Sequence, residues 1–205
     1  MRILITGFEP FGDTQVNPSE ELVHSLADEI IPDVDLTRLV LPVDTKTAPV
    51  ILQQTIRNNT FQAIVCLGEA SGNTSITLER VSINLLDFRI PDNSGIQVID
   101  QPINPEGPAA YFSTLPIRKI EQTLRKHGIP VCLSCSAGTY LCNQIMYTLL
   151  EELAINQISI PAGFIHLPAL PAKAAAQTRP IPTMSLETMR MGIKLILQLL
   201  SEASN

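Results

Sequence analysis

Short apolar runs alternate along the whole chain with segments whose apolar residues recur at helical spacing. The run "RILITG" is continuous enough for a strand buried on both faces. "NPSEELVHSLADEI" follows, with Asn17 in the N-cap position, Pro18 at the first helical position and Glu20 where a capping box needs it. Leu22, Val23, Leu26 and Ile30 predict the inner face of that helix. "LTRLVLPV" reads as a strand, "TAPVILQQTIRNN" as a helix and "QAIVCLGE" as a third strand closed by Gly68. The span from Ser71 to Pro116 breaks the alternation. It holds "ITLERVSINLLDFRIPDNSG" and the Pro-rich "DQPINPEGPAAYF", a pattern open to a hairpin or to long loops, and long irregular spans in compact domains are often functional. Alternation resumes with helix "IRKIEQTLRKHG", strand "IPVCLS", helix "LCNQIMYTLLEEL", strand "AGFIHL" and helix "SLETMRMGIKLILQLLSE". This order predicts an α/β fold, a mostly parallel twisted central sheet covered by helices on both faces, in a single domain over 1–205. No internal repeat, low-complexity tract or linker interrupts it.

Composition narrows the function classes. With 205 residues, 45% of them hydrophobic, the chain can bury one substantial core. The formal charge of -6, with no run of basic residues beyond single "RK" pairs, argues against a surface that tracks phosphates, so no nucleic-acid partner is expected. The opening "MRILITGFEP" reads as a strand and turn, not an export signal, and no segment has membrane-spanning length. Together with four cysteines in so long a chain, this predicts reduced thiols in a cytoplasm and no membrane partner.

In a sheet of this kind, sites gather beyond the carboxyl ends of strands. Cys142 lies at such an address, where "SCSAGTYLCN" joins a strand to a helix: a helix N-terminus favours an anion, and the thiolate is the nucleophilic form of cysteine. Packing as a small hydrophobe is the alternative. Cys66 and Cys132, inside "AIVCL" and "IPVCL", read as inert core thiols, and Cys132 with Cys135 is poorly spaced for a redox pair on one strand. No second ligand pair supports a zinc site, so neither metal nor cofactor is expected. His24 and His127 have helical explanations, whereas His166 interrupts an apolar strand near its end, where an imidazole needs a partner. Glu79 in "ITLERVSIN" offers a carboxylate to orient that ring, or else pairs with charge on an ordinary strand. Asp87, Arg89 and Asp92 leave the same two readings, Asp92 and Asn93 also serving as turn formers. The turn "TGFEPFGDTQVNPS" lacks dinucleotide-binding spacing; Phe8 and Phe11 there either pack or clasp a flat, uncharged ligand.

Taken in order, "TGFEPFG" with "NPS", "ITLERVSIN" with "DFRIPDNSG", "SAGTYLCN" and "AGFIHLP" resemble the pyroglutamyl peptidase I family, cysteine peptidases that remove an N-terminal pyroglutamate. The likeness spans nearly the whole chain. It implies an α/β/α sandwich, a homotetramer, substrates that are N-terminally pyroglutamylated peptides, and a triad of Glu79, Cys142 and His166. It further implies that Phe8 and Phe11 pack against the lactam ring, that Asn17 orders their loop, and that Arg89 stabilises charge near the site. The chain departs from the family pattern at Glu69, where an amide is common, at Phe88, where a small residue is common, and in the extra thiol of Cys135. Two other classes share the architecture: a non-catalytic small-molecule binding protein, and a nucleoside phosphorylase-like enzyme, for which no basic phosphate cluster is apparent.

Overall fold

The computed structural model describes residues 1–12, 14–27 and 29–202. Asp13, Asp28 and residues 203–205, which fall within the expected first turn, first helix and domain, lie outside them. The described chain runs β1 (Arg2–Phe8), α1 (Pro18–Ser25), β2 (Asp35–Leu41), α2 (Thr47–Arg57), β3 (Ala63–Glu69), β4 (Ile76–Glu79), β5 (Val81–Ile83), β6 (Ala110–Phe112), α3 (Ile117–Lys126), β7 (Val131–Ser134), α4 (Leu141–Ile155), β8 (Ala162–Leu167), α5 (Pro171–Ala175) and α6 (Leu186–Glu202). Six strands form the main sheet in the order β2-β1-β3-β8-β4-β7. The first four are parallel; β4 pairs antiparallel with β8 through Thr77↔His166 and Leu78↔Ile165, and β7 runs parallel to β4. The mostly parallel α/β sheet therefore holds.

The continuous apolar runs of β3 and β8 lie at the centre, buried along their whole length, as strands covered on both faces must be. One apolar layer joins Leu22, Val23, Ile120, Leu124, Ile193 and Leu197 of α1, α3 and α6 to one face of the sheet. The other joins Leu52 and Ile56 of α2 and Ile145 and Leu149 of α4 to the opposite face. Each such buried aliphatic side chain contributes roughly 1.5–3 kcal/mol relative to exposure.

Three expectations need correction or completion. The first helix ends at Ser25 with Leu26 as its C-cap, and Ile30, assigned to the inner face, is 89% exposed. Asn17 does cap it, accepting from the Ser19 backbone N–H at 3.0 Å, but the Glu20 carboxylate turns to His24 at 3.9 Å. The irregular middle span contributes β4 to the main sheet and a small β5–β6 pair, with the chain from 84 to 109 held by turns and single bridges. Nothing local in "ITLE" distinguishes a central antiparallel strand from a hairpin arm. Its neighbours in the sheet, β7 and β8, come more than fifty residues later.

Candidate active site

The strand register builds the site row by row. Across four strands, Cys132 of β7, Thr77 of β4, His166 of β8 and Gly68 of β3 are consecutive partners. Directly paired residues project to the same face, so these four share the surface under α2 and α4. Glu79 and Phe164 lie two residues along β4 and β8, and strand alternation returns them to the same face. Glu79 thus reaches His166 diagonally, and its Oε1 lies 2.8 Å from His166 Nδ1. A carboxylate only accepts, so Nδ1–H donates and Nε2 is left for the cleft. The Phe164 ring stands edge-on to the imidazole, with centroids 5.0 Å apart. Glu79 and His166 are 2% and 7% exposed.

Cys142 arrives over the fourth member of that row. β7 runs opposite to β8, so its carboxyl end does not lie on the same edge as that of β8, contrary to the simple rule for parallel sheets. The chain returns through residues 135–140, turning at Gly138 with φ 79°, a conformation that glycine adopts without strain. α4 then begins at Leu141 without a side-chain cap, leaving Cys142 in its first turn with the helix's unpaired N–H groups. The Cys142 thiol rests directly above Gly68: a Cβ at that position would lie 2.8 Å from Sγ. His166 lines the same cleft as Cys142. Burial alone would lower the His166 pKa, but the influence of Cys142, then that of Glu79, outweighs it and raises it from 6.5 to about 10. The helix start is anchored by the neighbouring Asn143, fully buried, which accepts from Ile83 N–H at 2.9 Å and donates to the Ile83 and Leu85 carbonyls at 2.9 and 3.0 Å.

These residues open into a cleft of about 730 Å³. Phe8, Phe11 and Tyr140 form its aromatic wall, and Asn17 and Arg89 also line it. Tyr140 packs edge-on against Phe88 at 4.6 Å and tilted to Phe11 at 6.3 Å. Phe88 therefore fills the space behind the wall. Burial, then the charges of Asp92 and Cys142, push the Tyr140 hydroxyl up to about 12, so it stays a neutral donor to the Pro91 carbonyl at 3.1 Å. Asn17 both caps α1 and donates from Nδ2 to the Glu9 carbonyl at 3.0 Å, tying the Phe8–Phe11 turn to the helix start. Asn93 donates to Glu9 and Pro10 and so braces that same turn, while Asp92 accepts the backbone N–H groups of Thr45, Ser94 and Ile96 and fixes its own turn. Arg89 is exposed on the cleft, as is Asp87.

Reading the sequence alone missed Gly68, Tyr140 and Asn143. Only the neighbourhood of Cys142 hinted at the last two. Cys66 is the inert core thiol expected, burial pushing it up to about 12. Cys132 is not: it is half-buried and lines the cleft, 3.2 Å from Thr77 Oγ1, because β7 is an edge strand. Cys135 is exposed just past that strand. Among the described residues no group of three or more His, Cys, Asp or Glu side chains converges to hold a metal, and no helix is long and apolar enough to cross a membrane.

Comparison with known proteins decides the family. The sequence profile of pyroglutamyl peptidases matches residues 1–202. The chain belongs to the pyroglutamyl peptidase family. It is similar to a pyrrolidone-carboxylate peptidase of Vibrio vulnificus, 43% identical over 196 residues, covering 96% of this chain and 91% of the relative. A pyrrolidone-carboxylate peptidase of Thermococcus kodakarensis is 40% identical over 202 residues, with 98% and 97% covered. Among solved structures, a mutant pyrrolidone carboxyl peptidase from Pyrococcus furiosus superimposes with a TM-score of 0.94 at 38% identity, covering 98% of this chain and 99% of that one. Pyroglutamyl peptidase I of Bacillus amyloliquefaciens gives 0.92 at 35%, covering 98% and 97%. As a member of the pyroglutamyl peptidase family the protein is a cysteine-peptidase hydrolase, and its α/β fold is that of the family's solved structures.

Proposed function

We propose that the protein hydrolyses the amide bond following an N-terminal L-pyroglutamyl residue, with Cys142 as nucleophile, His166 as general acid and base, and Glu79 orienting the imidazole. The observation that carries this reading is the thiol at the α4 start, seated over Gly68 in the strand row that also carries His166, whose Nδ1 is held 2.8 Å from a buried carboxylate. His166 takes the thiol proton, which makes the sulfur a thiolate nucleophile. Sγ adds to the pyroglutamyl carbonyl carbon, and the carbonyl π pair moves onto oxygen. Collapse re-forms the carbonyl and breaks the C–N bond as His166 gives its proton to the leaving amine. Water then adds to the thioester while His166 takes its proton, and the thiolate departs as pyroglutamate is released. The uncapped N–H of Cys142 is the donor for the oxyanion; loss of such a donor costs roughly 100–1000-fold in rate.

The neutral lactam has no ammonium to be gripped, and the aromatic wall of Phe8, Phe11 and Tyr140 suits its flat ring. Asn17 keeps that wall in register, and Arg89 supplies positive charge at the open side of the cleft. The chain over 1–205 serves as one catalytic domain without metal or cofactor. A reducing cytoplasm and a homotetramer belong to the same proposal: all four cysteines are free thiols, and Phe112 and Ile158 leave an apolar groove beside β6 and the end of α4. Light scattering after gel filtration tests the assembly.

The deciding experiment measures release of a chromogenic amine from L-pyroglutamyl, L-prolyl and L-glutamyl amides. Turnover confined to the pyroglutamyl amide, and lost in Cys142→Ala, is expected. Equal turnover of all three, or none, would contradict the reading.

A further inference from the structure

Glu69 ends β3, one residue beyond the glycine that seats the nucleophile, and it lines the same cleft. Its side chain is 1% exposed. Oε1 accepts from Lys173 Nζ and from Ser71 Oγ, each at 2.7 Å, while Oε2 is buried with no hydrogen-bond partner among the described residues. Lys173 comes from the short helix α5, past the strand that carries His166; its side chain is 13% exposed. Its ammonium also donates to Ser71 Oγ at 3.0 Å and stands 5.5 Å from the centroid of Phe11, one of the aromatic walls. The cleft therefore has two buried ion pairs, Glu79 with His166 and Glu69 with Lys173. The first has a place in the chemistry. The second does not, and a buried ion pair is seldom retained for stability alone, since apolar residues of equal volume often do as well.

We propose that the Glu69–Lys173 pair is a charge lock that fixes the ring pocket as electrically neutral, so that a lactam is accepted and a protonated five-membered ring is refused. This rests on the pyroglutamyl reading above. Pyroglutamate and N-terminal proline carry rings of the same size; they differ in the ring carbonyl and in the positive charge on the prolyl nitrogen. A carboxylate at the pocket wall, left unanswered, attracts that cation through a poorly screened path. Lys173, seated over Phe11 and paired with Glu69, cancels that attraction and leaves the wall neutral. Asp87 and Arg89 are exposed and screened by water, so they set the pocket's charge far less.

The test uses the full-length enzyme and reads inhibition constants of pyrrolidin-2-one, a neutral lactam, and L-prolinamide, a cation, against a pyroglutamyl amide substrate at neutral pH. In Lys173→Met, the affinity of prolinamide relative to pyrrolidin-2-one is expected to rise about tenfold. In Glu69→Gln, which leaves the ammonium in place, that ratio should fall by at least about threefold. The double variant Glu69→Gln with Lys173→Met should return to within about twofold of wild type. A purely structural role would weaken both inhibitors together and move the two single variants in the same direction; that result, or an unchanged ratio, overturns the charge lock. Should Lys173→Met fail to fold with its uncompensated carboxylate, Glu69→Gln and the double variant still decide. Wild-type enzyme without turnover of the pyroglutamyl amide sinks the parent reading, whereas turnover with unshifted ratios sinks the charge lock alone.

Discussion

Substituting alanine for Gly68 adds a single methyl group beneath the Cys142 thiol, the proposed nucleophile. That carbon would stand 2.8 Å from Cys142 Sγ and 2.7 Å from Phe164 Cζ, where carbon contacts favour about 3.5–4.0 Å. Both neighbours are side-chain ends, so relief comes from rotating the thiol or tilting the Phe164 ring that leans on His166. Either motion separates sulfur from imidazole. Overpacking of this kind costs about 1–3 kcal/mol, and at this chain length each kcal/mol lowers Tm by roughly 2–4 °C. The rate should suffer more than the stability, because misplacing a reacting atom by about 1 Å can cost ~100-fold. Steady-state kinetics on a pyroglutamyl amide, with Tm by differential scanning calorimetry, separate the two effects: kcat/KM is expected to fall about 100-fold in a protein that still folds. Wild-type kcat/KM in Gly68→Ala would refute the claim that this glycine is the seat of the thiol.

Other predictions address the remaining members of the site. Glu79→Gln keeps the shape but removes the negative charge and allows the wrong imidazole tautomer; kcat should drop by roughly 100–10,000-fold with KM little changed, and an effect on KM alone would contradict an orienting role. Iodoacetamide at neutral pH followed by peptide mapping should modify Cys142 first, Cys135 at the pace of an ordinary exposed thiol and Cys66 not at all; His166→Ala should slow only Cys142, and equal rates at all four would rule out an activated thiol. The pH dependence of stability has a defined sign. Because the His166 pKa is raised from 6.5 to about 10, its contribution is fully present below about pH 6.5 and disappears as pH climbs through about 10. Urea unfolding across that window should show a smaller loss in Cys142→Ala, which lacks the largest influence raising the ring; an identical loss would mean the thiol does not hold the imidazole's proton.

Two members of the proposed triad stood out in their own surroundings. Cys142 stands between a strand and an amphipathic helix, and His166 breaks an apolar strand near its end; both signals are local, because backbone hydrogen bonding and side-chain periodicity are local. Glu79 was open between two roles until family resemblance weighed in, and the structure explains why: its contact with His166 is a diagonal across a strand pair 87 residues apart in sequence. Ile30 shows the opposite failure, since helical spacing continues past Ser25 while the helix does not.

Alternation of apolar runs with amphipathic helices was sufficient on its own to dictate an α/β sheet with two covered faces, because each element must bury its apolar side against another. Tertiary structure alone decided that β4 enters antiparallel between β8 and β7, that one register row aligns Cys132, Thr77, His166 and Gly68, and that Lys173 meets Glu69 across 104 residues. Those choices depend on which distant strands pair and in what register. Pairing is settled by the packing of the whole sheet, which no single stretch of chain encodes.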